Sequence, residues 1–142
     1  MPDDCAFCAI VAGETDAEIV FEDDVSLAFL DNRPLFPGHS LLVPRAHLEA
    51  IWDLPDDLVE PLFANARLLA VAVREAMAAQ GVFVAANNVV SQSVAHFHVH
   101  VVPRNRKDGL RGFFWPRRKY RDGEAGGAAA AVRAAVKRLN AA

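Results

Sequence analysis

Residues 91–104 read SQSVAHFHVHVVPR, and they place His96, His98 and His100, three of the chain's five histidines, at every second position of an apolar run. In an extended strand, residues i, i+2 and i+4 point to one face. The three imidazoles then form a row, about 6.6 Å from one to the next. Phe97, Val99 and Val101 face the other way, into a core. A strand with two such faces puts its histidines on an accessible surface or in a cleft. Three readings follow. The row is a polar strand face and nothing more; or two histidines at i, i+2 converge on zinc; or the row does nucleophilic and acid–base chemistry. Imidazole titrates at about pH 6.5, so one ring can attack as the neutral base while its neighbour donates. The last two readings can divide the row between them.

Upstream of the row, VFVAANN (residues 82–88) reads as a further strand. Before it lies the clearest helix: Leu58, Leu62, Ala66, Leu69, Val73 and Met77 recur at i, i+4, i+7 as one buried stripe, with Asp56 and Asp57 near the start and Gly81 at the close. That stripe packs against a sheet. EIVFED and VSLAFLD form two short strands around the turn-forming Glu22-Asp23-Asp24. RPLFPGH is a proline- and glycine-rich turn, and SLLVPRAH follows as a strand that Pro44 interrupts or ends. CAFCAIVAG opens the chain as a short helix ending at Gly13. Past the row, a strand expected to end at Pro103 gives way to RNRKDGLRGFFWPRRKYR, which holds eight of the fifteen Lys and Arg residues. AGGAAAAVRAAVKRLN then forms a terminal helix. Strands grouped together, with one long helix among them, indicate an α+β fold with a mainly antiparallel sheet.

The totals exclude several classes. A chain of 142 residues suits one domain. A net charge of −3 and a pI near 5.9 speak against nucleic acid or an anionic membrane surface as general partners. No apolar run approaches the roughly 20 residues of a transmembrane helix. The acidic start MPDDCAFC lacks the basic opening of a secretory signal. The expected location is the cytoplasm, where Cys5 and Cys8 stay reduced and act as ligands or plain thiols rather than a disulfide.

QSVAHFHVHVVPR closely resembles the signature of the histidine-triad (HIT) family, H-x-H-x-H preceded by Gln-Ser/Thr-Val. LAFLDNRPLFPGHSLLVPRAH resembles the family's other marker: a strand ending in Asp, a proline turn, Pro-Gly-His, then Val-Pro-basic-x-His. The opening CAFCAIVAGE and EIVFEDD match as well, so the likeness runs in order from about Cys5 to Arg104. It implies a five-stranded antiparallel sheet with two main helices, and a homodimer whose sheets continue across the interface. It places a single HIT domain over residues 1–142, with a basic and aromatic C-terminal extension from about 104. The implied activity is that of a hydrolase or nucleotidyl transferase. Such enzymes cleave between the α-phosphate of a nucleoside monophosphate and an amine, a phosphate chain or a second nucleotide.

By this resemblance His98 is the nucleophile. Its Nδ1–H is held by a backbone carbonyl, and Nε2 attacks phosphorus to give a nucleotidyl-histidine that water or another acceptor releases. His100 contacts phosphate oxygens and assists the leaving group. Gln92 and Ser93 touch the α-phosphate or the bridging region, and His39 lies against the same site. Asp31 accepts from both ribose hydroxyls, though an Asp that ends a strand also starts turns well. Phe7, Ile10, Phe29 and Leu30 form the slot for the base, or simply pack the core. Either Asn87 or Asn88 approaches the sugar or phosphate. Two features depart from the family pattern. Ser91 stands where glycine is usual, and NNVVSQ is shorter than the usual loop.

CAFC alone suits a redox pair or two small core fillers. In some branches of the family such a pair holds a structural zinc with two histidines, which here are His47 and His96. With His98 and His100 on phosphate and His39 flanking, that set would account for every histidine in the chain. The tail residues Phe113, Phe114 and Trp115 are expected at the active-site rim. Two competing readings remain open at this stage: a purine-nucleotide-binding module with slow turnover, and a hydrolase that uses the histidine row as a catalytic zinc centre.

Overall fold

In the computed structural model, which describes residues 4–110 and 116–141, regular pairing of the histidine strand begins later than expected. The elements in chain order are α1 (Ala6–Val11), β1 (Ile19–Glu22), β2 (Ser26–Leu30), β3 (Ser40–Pro44), a 3-10 turn (Ile51–Asp53), α2 (Asp56–Ala76), β4 (Gly81–Ala85), β5 (Val99–Arg104) and α3 (Glu124–Asn140). The five strands form one antiparallel sheet in the order β1-β2-β3-β5-β4. This is the α+β architecture expected from the sequence.

Only His100 of the histidine row lies within β5. His96 and His98 precede it on a segment that crosses onto the sheet. Pro103 does not end the strand; it pairs with Val82, beyond the last pairing of β5 with β3 at Val101. There the strand has a neighbour on one side only, and a missing N–H is tolerated. The alternation itself holds. Phe97, Val99 and Val101 join Ala28, Leu42 and the α2 residues Leu62, Ala66, Leu69 and Val73 in the core on one sheet face. The opposite face carries Leu27, Phe29, Leu41 and Val43, packed with Cys5, Phe7 and Cys8 of the α1 turn. The sheet is thus covered by the long α2 on one side and only partly by the short α1 on the other. The cleft described below opens on that partly covered side.

Two expectations about α2 need correction. Met77 is 41 % exposed rather than part of the buried stripe. Its side chain lies over Gly38 instead, where a Cβ would come within 2.5 Å of the methionine Cγ. Gly38 also has φ +95, so the Pro-Gly-His turn needs glycine for both its space and its conformation. Nor does Gly81 close the helix; it opens β4 opposite Arg104. The closure is a Schellman pair, with Ala79 N–H donating to Arg74 C=O (2.9 Å) and Ala78 N–H to Glu75 C=O (3.2 Å). It requires a left-handed residue, and Ala78 supplies it at φ 51. An alanine there costs about 1 kcal/mol against glycine. Ala78→Gly is therefore expected to raise the melting temperature by a few degrees; a variant that melts no higher than wild type would count against this assignment of the cap.

The chain divides into two compact units, Met1–Asp108 and Gly109–Ala142. The sheet, α1 and α2 belong to the first. In the second, α3 starts at Glu124, whose carboxylate accepts from the Arg121 N–H (3.0 Å) and guanidinium (3.2 Å). The aromatic rim expected at Phe113, Phe114 and Trp115 lies outside the described residues. Among the described residues no helix is long and apolar enough to cross a membrane.

Candidate active site and metal centre

The α1 face of the sheet holds a cavity of about 870 Å³. Of the residues expected at the site, Phe7, Ile10, Phe29, Leu30, Asp31, Ser93, His98 and His100 line it. Its floor is apolar, with Phe7 and Phe29 meeting edge-to-face at 5.3 Å, the geometry their ring quadrupoles prefer. Its polar wall contains residues that sequence reasoning missed: Thr15, Asp16, Glu18, Asn32 and Arg33. The loop before β1 reaches the cleft because Leu30 N–H donates to Glu18 C=O (3.0 Å). No periodicity marks such a loop.

The hydrogen bonds assign the histidine protons. His98 Nδ1 lies 2.8 Å from the His96 carbonyl oxygen. A carbonyl can only accept, so Nδ1 carries the proton and Nε2 offers a lone pair to the cleft. His39 is fixed the other way. Leu35 N–H donates to His39 Nδ1 (3.1 Å), so a neutral His39 carries its proton on Nε2. That proton is directed to His100 Nδ1 (2.9 Å), which leaves His100 with an Nε2–H. The cleft therefore faces a lone pair at His98 and a donor at His100, with ring centroids 5.0 Å apart. His39 itself stands behind His100 and does not line the cavity. Asp31 Oδ2 lies 3.7 Å from His39 Nε2. Asp31 Oδ1 accepts from Arg33 N–H (2.9 Å), which fixes the carboxylate at the cleft wall.

Burial keeps these rings neutral. It lowers His98 below its ordinary value, against the hydrogen bond to His96 C=O and the Asp31 charge. It also lowers His39, again opposed by Asp31. His100 falls from 6.5 to about 4 through burial and then through the neighbouring His98 and His39, with Asp31 opposing. Between about pH 6.5 and 4 the unfolded chain thus binds a proton at position 100 that the folded chain refuses, so stability falls as pH drops through that window. Thermal melts between pH 7 and 5 are expected to show this decline, and His100→Asn to flatten it. Equal slopes for the two proteins would contradict it.

Gln92 does not line the cavity. Its side-chain oxygen accepts from Val89 N–H (3.1 Å) and its amide donates to Glu49 C=O (2.6 Å), so it braces the loop in front of the row. Neither Asn87 nor Asn88 lines the cavity; Asn88 Oδ1 accepts from Ile51 N–H (2.7 Å). The same loop holds Val89 at φ 70 and Ser91 at φ 61. Position 91 is left-handed, which gives a physical reason for glycine there. Ser91→Gly is expected to stabilise the protein by up to about 1 kcal/mol, read as a higher urea midpoint. An unchanged midpoint would count against strain at this position.

The first histidine of the row belongs elsewhere. Cys5, Cys8, His47 and His96 bring four potential ligand atoms within 4.8 Å of one another. Cys8 Sγ is 3.2 Å from His47 Nδ1 and 3.5 Å from His96 Nδ1; Cys5 Sγ is 3.5 Å from His96 Nδ1. Tetrahedral zinc with ordinary Zn–S and Zn–N bonds sets sulfur and nitrogen about 3.6 Å apart. The protons agree with the distances. His96 Nε2–H donates to Pro44 C=O (2.8 Å), which leaves Nδ1 unprotonated and aimed at the sulfurs, the usual outer support of a metal-bound histidine. The residues fit zinc. A second group, Asp31, His39 and His100, also lies within 4.8 Å. There His39 Nε2 and His100 Nδ1 are engaged with each other, and the Leu35 N–H forces the His39 proton onto the nitrogen a metal would need.

A cleft lined by neutral histidines of opposite tautomer, on a five-stranded antiparallel sheet, defines a class that the comparisons identify. The family model described as the HIT domain matches residues 12–107. The chain belongs to the HIT family. It is 35% identical over 115 residues to "Protein hit" of Bacillus subtilis, covering 80% of this chain and 79% of that one. It is 32% identical to "Adenylylsulfatase HINT3" of Arabidopsis thaliana, over 78% of this chain and 57% of that protein. It is 33% identical to "Adenosine 5'-monophosphoramidase HNT1" of Saccharomyces cerevisiae, over 75% and 66%. Named hydrolases of phosphorus-containing bonds thus stand among its relatives, in keeping with the expected HIT-type hydrolase. Among solved structures, a HIT-family protein of Bacillus subtilis superposes with a TM-score of 0.83 at 31% identity, over 92% of this chain and 96% of that one. A "ZN-bound histidine triad family protein" of Mycobacterium smegmatis superposes with a TM-score of 0.71 at 36% identity, over 97% and 96%.

Proposed function

We propose that the protein hydrolyses, or transfers the nucleotidyl group of, nucleoside phosphoramidates or dinucleoside polyphosphates through a covalent nucleotidyl-His98 intermediate. One observation carries this reading. His98 Nδ1–H is pinned by a carbonyl while its Nε2 lone pair faces the cleft. A neutral ring so held needs no deprotonation before it attacks. The bond from Nε2 to phosphorus forms as the bond to the leaving group breaks, and water then releases the nucleotide. The Nε2–H of His100 donates to a phosphate oxygen or to the leaving atom, a placement typically worth about 10²–10⁴-fold. Asp31 accepts from the ribose hydroxyls, and Phe7, Ile10, Phe29 and Leu30 hold a purine by stacking and apolar contact. Ser93, on the cleft wall, contacts the α-phosphate region; Gln92 serves the reaction by bracing its loop. The relatives named as an adenosine 5'-monophosphoramidase and an adenylylsulfatase support an adenosine nucleotide joined to a nitrogen or sulfur oxyanion leaving group. Incubation with adenosine 5'-phosphoramidate and with a diadenosine polyphosphate tests this. Rapid quenching is expected to trap an adenylylated chain and steady state to release AMP. Turnover of neither compound, or turnover with no adduct, would refute the mechanism.

The same proposal includes a structural zinc held by Cys5, Cys8, His47 and His96, supported by the ligand distances, the His96 tautomer and the zinc-bound relative. It also includes a homodimer formed around the HIT domain, with residues from about 104 as its extension. β4 is an edge strand whose Val84 is exposed, a surface suited to a second copy. Sedimentation at twice the monomer mass is the expected result.

A further inference from the structure

We infer that the Cys5–Cys8 turn acts as a clamp on the nucleophile: zinc ligation there sets the orientation of the His98 ring, and Phe7 is the positioning residue that transmits it. The inference rests on the zinc reading above and adds a coupling between two sites otherwise taken as separate. Two independent contacts join them. The first runs through the backbone. His96 faces both sulfurs with Nδ1, and its own carbonyl holds His98 Nδ1–H at 2.8 Å. The second runs through a side chain. Phe7 sits between the two cysteines on the α1 turn, where Cys5 Sγ accepts from Cys8 N–H (3.3 Å). The Phe7 ring meets the His98 ring edge-on, with centroids 5.0 Å apart at 87°, and reaches His96 at 6.0 Å and 72°.

Phe7 and His100 flank the His98 ring at the same centroid distance, 5.0 Å, and of the two only Phe7 stands on the cysteine turn. The ring is 1% exposed. Of its two nitrogens, one is bound to the His96 carbonyl and the other faces the cavity. Rotation of the ring about its Cβ–Cγ bond would break the His96 bond and change its perpendicular contact with Phe7. The chain segment carrying both contacts has little regular structure of its own: α1 is six residues long, and residues 93–96 run as bends before β5 begins. A four-ligand closure joining these two segments to His47 supplies the fixed geometry that neither has by itself. Phe7 thereby has two roles, lining the base slot and holding the nucleophile. They separate in kinetics, because weaker base contact raises KM whereas a mobile nucleophile lowers kcat.

The test uses zinc-loaded full-length wild type, the same protein after chelation, and zinc-loaded Phe7→Leu and Phe7→Ala. Imidazole ¹⁵N spectra report the His98 tautomer directly, and metal analysis reports zinc content. The zinc-loaded wild type is expected to show a single His98 tautomer protonated on Nδ1. Chelation should turn that signal into an exchange-averaged one. Phe7→Leu should keep one zinc per chain and yet show the same loss of a single tautomer, with kcat down by roughly 10–100-fold, the usual cost of losing such outer support. Phe7→Ala should exaggerate both effects. If zinc binds and neither chelation nor Phe7→Leu changes the His98 signal, the coupling is refuted while the zinc site stands. If Phe7→Leu raises only KM, Phe7 belongs to the base slot alone and is no positioning residue. If no zinc binds at all, the zinc reading and this inference both fail.

Discussion

Replacing His98 with alanine is expected to reduce turnover of adenosine 5'-phosphoramidate by about 10⁴-fold or more, the scale seen when a covalent nucleophile is removed. The size follows from the tautomers. His100 cannot take over, because its cleft-facing Nε2 carries the proton directed there by the Leu35–His39–His100 chain of hydrogen bonds. His39 does not line the cavity, and His96 is turned toward the cysteines. No second imidazole lone pair faces the substrate among the described residues. AMP affinity should change far less, within a few-fold, because the base and ribose contacts survive. Single-turnover kinetics and calorimetric titration with AMP separate the two effects. Retention of more than a few per cent of wild-type kcat by His98→Ala would mean that another group attacks phosphorus.

With Cys5, Cys8, His47 and His96 holding zinc as proposed, its removal is expected to produce the largest change in stability. A ligand present at about a thousand times its Kd adds roughly 4 kcal/mol to a fold that alone can bind it. For a chain of this size each kcal/mol moves the melting temperature by about 2–4 °C. Cys8→Ser, or chelation of the wild type, should therefore lower it by roughly 10 °C. Cys8 is the informative ligand, since its sulfur lies within 3.5 Å of both His47 and His96. Burial, with the Cys5 thiol alongside, pushes the Cys8 thiol up to about 11, so without a cation it stays protonated. Adding chelator to Cys8→Ser should change nothing further. Identical melting of chelated and zinc-loaded wild type would remove the metal from the account.

Much of this site is legible in the order of residues, and the rest is illegible for identifiable reasons. The period of two in HFHVHV assigns Phe97, Val99 and Val101 to the core and the histidines to the other face, even though β5 begins only at Val99. Side-chain direction survives where ladder bonds do not. Asp31 is readable because it follows an apolar strand and precedes a turn. The loop from Thr15 to Glu18 is not, because one backbone bond to Leu30 brings it to the cleft. The end of α2 misleads because its left-handed residue is Ala78, which carries no glycine signal, while Gly81 nearby does. Gln92 misleads in another way. It is adjacent in sequence to a cleft residue, but a left-handed Ser91 turns it toward Val89 and Glu49.

The chain of bonds from Leu35 through His39 to His100 starts at a peptide N–H, a group that cannot reverse its role. The pocket therefore has a built-in polarity. A tight inhibitor must offer an electron-poor centre to one imidazole and an electron-rich atom to the next, in that spatial order. Compounds that offer only a hydrogen-bond donor to the Nε2–H of residue 100 leave that group without an acceptor and should bind less tightly than those that offer an oxygen there.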